Sequence, residues 1–374
     1  MPSSILGRPM DDRRVHIPAL TSIRFFAALH VVAFHFVTKA NKPAFLQGIL
    51  SAGYVGVTLF FVLSGFILSH VYAGPFALRD FYRARFARIY PLYALALLLC
   101  VWTGGSPWIH EPLSAWLRSP LFLQAWWPQY SLEWNFPAWS LSCEAFFYLT
   151  FPLFARRFRE TSPKTLLGII ALLWVVSCLP SIAYLWIQPD GPISVTYQTP
   201  SVWLQLLKYH PLVRLPEFMV GILLARLRTR IPSFSLAGTG AALSLAVIVG
   251  VLVQSYRLPF VLLHNSLLLP AFSLLIFSLS YPSWAARLLS ARWLTFLGES
   301  SYGLYILQSP AWAIVTVAAV GLNYRTGVWM LLPVIGFAVV CYVAVERPAR
   351  RFLYPKGLRH SQAPGFARTA TAGK

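Results

Sequence analysis

A chain of 374 residues that is 57% hydrophobic and only 11% charged, with a mean hydropathy of +0.62, has too few polar groups to cover a water-soluble surface. Its net charge of +20 is spread in short basic clusters between apolar runs, not along one soluble face, so membrane topology explains it and no nucleic-acid partner is expected. The four cysteines, Cys100, Cys143, Cys178 and Cys341, all lie in apolar runs with neither CxxC nor Cys/His spacing, so neither a disulfide framework nor a metal site is expected.

From the N-terminus, residues 1–18 read as a polar cytoplasmic segment. The apolar stretch that follows has no small-residue cleavage pattern, so the first helix is expected to be retained. A bilayer core about 30 Å thick requires about 20 apolar residues per helix. That window divides the chain into ten spans, near 19–38, 54–73, 89–103, 138–154, 165–187, 211–225, 236–254, 259–279, 300–320 and 328–346. The expected fold class is therefore all-α integral membrane, a polytopic bundle of about ten transmembrane helices in the cell inner membrane.

Arg and Lys set the orientation, because positively charged loops stay in the cytoplasm during insertion. With the N-terminus inside, the cytoplasmic segments hold Arg8, Arg13 and Arg14; Arg79, Arg83, Arg85 and Arg88; Arg156, Arg157, Arg159 and Lys164; Arg226, Arg228 and Arg230; Arg287 and Arg292; and seven basic residues in the tail. The outer loops carry about six. Both termini are expected to be cytoplasmic. Residues 19–353 form one transmembrane domain, and 354–374 read as a basic, disordered tail. No internal repeat or pair of broken helices is evident, which lowers the expectation of a transporter.

Ionisable side chains inside a span cost about 2.5–3.5 kcal/mol each on the insertion scale and so mark candidate sites. Arg24 and His35 are eleven residues apart, which returns them to within about 20° on one face of the first helix, separated by about 16 Å along its axis. His30 points elsewhere. Arg85 and Arg88 share a helix face at i, i+3 and present two planar forks suited to phosphate, although a positive-inside loop has the same composition. Glu144 enters an apolar span from the outer side, at a depth that would let it pair with His35 or serve a structural ion pair. Arg214 and Glu217, also at i, i+3, read as a self-neutralising structural pair.

In their order along the chain these residues resemble the membrane acyltransferase-3 family, integral-membrane O-acyltransferases of bacterial surface sugars and some macrolides. Arg24 and His35 match its Arg-x10-His signature, and Gly53-Tyr54-Val55-Gly56-Val57-Thr58-Leu59-Phe60-Phe61-Val62-Leu63-Ser64-Gly65-Phe66 is similar to its second-helix motif. That motif usually has Asp where this chain has Thr58, leaving the carboxylate's role there vacant. Arg85-Phe86-Ala87-Arg88 resembles the Arg-x-x-Arg element, and Trp139-Ser140-Leu141-Ser142-Cys143-Glu144 the Trp-Ser-Leu-x-x-Glu stretch. Further matches fall at Glu217-Phe218, Ser301-Tyr302-Gly303-Leu304-Tyr305 and Val345-Glu346-Arg347-Pro348.

The resemblance implies acyl transfer from acyl-CoA, acetyl-CoA in the first instance, as a donor substrate with no permanently bound cofactor. The acceptor would be a hydroxyl of a glycan or glycolipid, such as exopolysaccharide or lipopolysaccharide, or alternatively a macrolide. Arg24, Arg85 and Arg88 would hold the donor phosphates. His35 would act as general base with Glu144 as orienting partner, or would itself carry the acyl group. Ser64, Ser140 and Ser142 lack a Gly-x-Ser-x-Gly elbow and are not expected to be nucleophiles. Trp108, Trp116, Trp126, Trp127 and Trp134, with Glu111 and Glu133, sit in the long outer loop as an interfacial belt or a sugar-stacking surface. A transporter or flippase lined by Arg24, His35 and Glu144 is the alternative from another class.

Overall fold

The computed structural model describes residues 16–37, 42–103, 112–158, 160–321 and 328–354. Most of the two terminal segments, with Trp108, Glu111 and Arg159, thus lies outside the described residues. The described chain is helical, without a strand. Its main helices are α1 (Pro18–Phe36), α2 (Gly56–Val71), α3 (Leu78–Trp102), α4 (Trp139–Arg157), α5 (Pro163–Ile187), α6 (Pro211–Arg230), α7 (Ala237–Val253), α8 (Leu269–Leu279), α9 (Arg292–Ile306), α10 (Gln308–Gly321) and α11 (Leu331–Cys341). A π-turn at Tyr342–Glu346 joins α11 to α12 (Arg347–Leu353).

Local chemistry sets several of the starts. Pro18, Pro163 and Pro211 stand at first helical positions, where a missing N–H costs nothing. Ser162 Oγ accepts from Thr165 N at 3.2 Å and His210 Nδ1 from Leu212 N at 3.3 Å. Helix α3 begins well before the apolar run used to predict it, so Arg79, Arg83, Arg85 and Arg88 occupy its first three turns and not a loop.

Among the described residues, six helical segments are long and apolar enough to cross a bilayer: Pro18–Phe36, Gly53–Val71, Leu78–Trp102, Pro163–Ile187, Phe260–Leu279 and Val328–Leu353. Counting α9 and α10 as one bent span makes seven. The remaining predicted spans are also helical, but α4 carries Glu144 and α6 carries Arg214, Glu217 and Arg226. Helix α6 tolerates these charges because protein surrounds it: Phe218, Val220, Ile222 and Leu223 are fully buried. Helix α5 is the opposite case, apolar all round and mostly unburied, with Trp186 and Leu179 facing outward as lipid-contacting side chains do.

Helices α2 and α6 run parallel and cross at glycine. A Cβ on Gly65 would collide with the carbonyl of Phe218, and one on Gly221 with the carbonyl of Val62. Helices α1 and α9 also run parallel, with Gly298 against Thr21 near one end and Gln308, two residues past the end of α9, against His35 near the other. The basic ends of the helices gather at one end of the bundle. There Arg226 Nη2 donates to Ala155 O at 2.8 Å, and Arg83 Nε to Leu353 O at 2.8 Å.

The sequence reads 300–320 as one span, but α9 and α10, which divide it, meet at 84°. Pro310 is the cause. It lacks the N–H that would bond the carbonyl of Ile306, and its ring clashes with that carbonyl in a continuous helix. Asn135 Nδ2 takes the freed carbonyl at 2.9 Å.

Candidate active site

Helices α1, α2, α3, α4 and α9 line a partly open cavity of about 50 Å³. Its polar lining is Arg24 from α1, Arg88 from α3, Ser140, Glu144 and Tyr148 from α4, and Ser301, Tyr302 and Tyr305 from α9; Val57, Phe60 and Phe61 of α2 complete the wall. Residues separated by more than 270 positions in sequence thus share one site. Tyr148, one helical turn beyond Glu144, donates its hydroxyl to Glu144 Oε2 at 2.9 Å. The other hydroxyls are committed to backbone: Tyr302 to Ile89 O at 2.8 Å, Tyr305 to Pro137 O at 3.1 Å, Ser140 to Pro137 O at 3.1 Å, and Ser301 to Gly298 O at 2.7 Å. Ser142 likewise donates to Phe122 O.

Four guanidiniums, of Arg24, Arg85, Arg88 and Arg350, gather around this cavity with two carboxylates, of Glu144 and Glu346. Arg88 Nη1 lies 2.9 Å from Glu346 Oε1, and Arg350 Nη1 lies 3.6 Å from the same oxygen. Arg85 sits behind Tyr148, its guanidinium carbon 6.0 Å from that ring's centroid, 6.0 Å from Phe81 and 5.7 Å from Tyr72. The Nε atoms of Arg24 and Arg85 are buried without a hydrogen-bond partner among the described residues. Buried N–H groups of a cation left unsatisfied carry a desolvation cost that an anionic ligand would offset. The cluster has more guanidiniums than carboxylates, with two buried N–H groups and one carboxylate oxygen, Glu346 Oε2, left without a hydrogen-bond partner among the described residues.

The structure brings Arg24, Arg88 and Glu144 together in the cavity, with Arg85 in the adjoining aromatic layer. It places His35 elsewhere, near the far end of α1. The His35 ring packs against Phe34 at 4.9 Å, Phe136 at 4.8 Å and Tyr197 at 6.2 Å between centroids, and its Nδ1 lies 2.8 Å from Gln308 Oε1. The sequence offers Glu144 as a partner for His35; the carboxylate instead accepts from Tyr148 and faces the arginines. Glu144, five residues beyond Trp139 at the start of α4, lines the cavity beside Arg24.

Arg214 and Glu217 form a buried pair, Nη2 to Oε2 3.1 Å, within a larger network. Arg214 also donates to Thr58 Oγ1 at 3.0 Å, Asn265 Oδ1 at 2.8 Å and His264 O at 3.1 Å. Glu217 Oε1 accepts from Thr58 Oγ1 at 3.1 Å and Ser266 Oγ at 2.9 Å. Thr58 is thus a hydroxyl between a cation and an anion, and Glu217 supplies the carboxylate beside position 58. In the outer-loop segment, Arg118 and Glu133 pair at 2.7 Å, and Trp116 packs edge-on to Trp134 at 4.4 Å. Glu133 is a structural partner there, and Trp134 is buried and donates to Leu97 O at 3.1 Å.

Sequence reasoning did not single out Tyr148, Gln308 or the pairing of Glu346 with Arg88. Glu346 had a readable signal, a lone acid ending an apolar run. Tyr148 had a weaker one, its i, i+4 spacing from Glu144.

A membrane-type helical bundle with a buried arginine-carboxylate cavity and a histidine seated at a helix break is the class of protein that this fold and site define. The family profile described as an acyltransferase domain matches residues 17–347, and the chain belongs to that family. It is 33% identical over 241 residues to Acyltransferase MdmB of Streptomyces mycarofaciens, covering 58% of this chain and 58% of that protein. It is 26% identical over 334 residues to the peptidoglycan O-acetyltransferase OatA of Listeria monocytogenes, covering 81% of this chain and 50% of that protein. A third relative, the putative peptidoglycan O-acetyltransferase YrhL of Bacillus subtilis, is 26% identical over 331 residues, 79% of this chain and 48% of its own length. The chain therefore spans about half the length of the relatives it matches. No solved structure matches it.

Proposed function

We propose that this protein is an integral-membrane O-acyltransferase of the inner membrane that moves an acyl group, acetyl in the first instance, from cytoplasmic acyl-CoA to a hydroxyl of a glycan or glycolipid. The observation that carries the reading is the cavity in which Arg24 and Arg88 face Glu144, with Arg85 behind Tyr148, at the basic end of the bundle. Donor phosphates bind Arg24 and Arg85 through charge-assisted hydrogen bonds, and Glu346 holds the Arg88 fork in place. The donor's arm passes between the helices toward His35. There the acceptor oxygen bonds to the acyl carbon as its proton moves to His35, the carbon–sulfur bond breaks, and the thiolate leaves with that proton. In the topology proposed, with both termini in the cytoplasm, the arginines lie on the donor side, and the relatives named as peptidoglycan O-acetyltransferases support a glycan acceptor.

A small hydrophobic alcohol such as a macrolide is the second reading of the acceptor. Its support is the aromatic lining near His35, where Phe36 stacks on Trp312 at 4.5 Å and packs on Phe136 at 6.3 Å. The test is coenzyme A release from acetyl-CoA by protein in lipid nanodiscs, with glycan or macrolide acceptors, comparing wild type with His35→Ala and Arg85→Ala. Acceptor-dependent release that is lost in His35→Ala establishes acyl transfer. No release with any acceptor, from folded protein, would shift the reading to a transporter or flippase.

A further inference from the structure

The break between α9 and α10 leaves two helix carbonyls without their usual donors. Ile306 O is taken by Asn135, as described above. Tyr305 O accepts from Gln308 Nε2 at 2.7 Å. A carbonyl oxygen only accepts, so this bond sets which way the Gln308 carboxamide faces: nitrogen to Tyr305, Oε1 to His35. Oε1 carries no hydrogen, so its 2.8 Å contact with His35 Nδ1 is a hydrogen bond only when Nδ1 holds the proton. Gln308 is fully buried, so water does not compete for either bond.

We propose that Gln308 is a positioning residue that holds His35 as its Nδ1–H tautomer, placing the lone pair of the neutral imidazole on Nε2. This rests on the acyl-transfer reading and assigns the reactive nitrogen within it. The acceptor's hydroxyl proton passes to Nε2 while Nδ1–H stays bonded to Gln308, and the Nε2 proton then goes to the departing thiolate. The chain of causes runs from Pro310 to the helix break, from the break to the bare Tyr305 carbonyl, from that carbonyl to the flip of Gln308, and so to the tautomer of His35.

The test uses full-length protein in nanodiscs with ¹⁵N-labelled histidine, the His35 signals being assigned by their loss in His35→Ala. Wild type is expected to show the Nδ1-protonated neutral tautomer. Gln308→Met, similar in length but unable to bond Nδ1 in this way, is expected to lose that signature. Its kcat should fall by at least about tenfold, since a wrong tautomer can cost up to about 10⁴, while the donor KM stays within about twofold. Gln308→Glu keeps an acceptor and should keep the signature. An Nε2-protonated ring in the wild type would overturn the proposal without any variant. Turnover lost in His35→Ala but kept in Gln308→Met would overturn the role of Gln308 alone. Turnover kept in His35→Ala would overturn that role and the acyl-transfer role of His35 together.

Discussion

At the residue scale, ionisable groups in the helices are affordable only as sets. Glu346 is 1% exposed and bonded by Arg88, so Arg88→Met leaves a buried carboxylate with Arg350 at 3.6 Å as its nearest cation. Removing one partner of a buried pair costs about 3–5 kcal/mol. Arg88→Met is therefore expected to lower the unfolding midpoint in detergent sharply, and Arg88→Met combined with Glu346→Gln to regain much of the loss. Equal midpoints for the single and double variants would show the pair to be uncoupled. Lys208, in the segment between α5 and α6, is a different case. It lies between Tyr197 and Tyr209, 4.9 and 5.0 Å from the ring centroids, and donates to Tyr197 O at 3.0 Å. Burial pushes its ammonium down to about 8. The unfolded chain binds that proton more strongly, so below about pH 8 both states are charged and the full penalty, roughly 3 kcal/mol, is present. As pH rises from about 8 toward the ordinary lysine value the folded state loses the proton first and the penalty fades. Lys208→Met should therefore raise the melting temperature at pH 7 and lose that advantage near pH 10.5, measured by thermal unfolding across that range. A constant difference would mean that Lys208 does not titrate in this way.

At the element scale, the contact of α2 with α6 holds the Thr58–Arg214–Glu217 network in register. Gly65 and Gly221 permit that approach, whereas a methyl added at Gly168 or Gly250 would meet nothing within 4 Å. Gly65→Ala and Gly221→Ala are expected to force the helices apart and destabilise the protein by about 1–3 kcal/mol or more. Gly168→Ala and Gly250→Ala, in exposed helix, should be neutral or stabilising by up to about 1 kcal/mol. Thermal melts of the four variants check this, and a destabilised Gly250→Ala would point to a contact outside this chain. Helix existence was largely legible in the sequence because apolar runs of bilayer length leave few alternatives to a helix. The sharp bend between α9 and α10 was not. Pro310 stood in plain view, but proline inside a membrane helix is often tolerated, and only Asn135 and Gln308, brought in by tertiary packing, satisfy the freed carbonyls and make the break stable.

At the scale of the whole molecule, basic residues collect at one end of the bundle and the outer-loop segments, with their tryptophans, at the other. Under the proposed orientation, Gln198→Cys should react with a membrane-impermeant maleimide in spheroplasts and Arg157→Cys should react only after lysis. The reverse pattern would invert the topology and put the arginine cavity on the wrong side for a cytoplasmic donor. The native cysteines are free and three are buried, which keeps the background labelling low.

Composition, hydropathy and the order of short motifs determined by themselves that this chain is a helical membrane protein of its family, because insertion into a bilayer and local motif chemistry both act along the sequence. They also marked Arg24 and Glu144, since a charge in an apolar run is conspicuous without any structure, and Arg85 and Arg88, since their i, i+3 spacing resembles a family element. Which charges meet was decided only in three dimensions: Arg88 with Glu346, Glu144 with Tyr148, Thr58 with Arg214 and Glu217, and His35 with Gln308. Helical periodicity gives the direction in which a side chain leaves its own helix but not the depth or rotation of the helix opposite, and hydrogen bonds of about 3 Å depend on both.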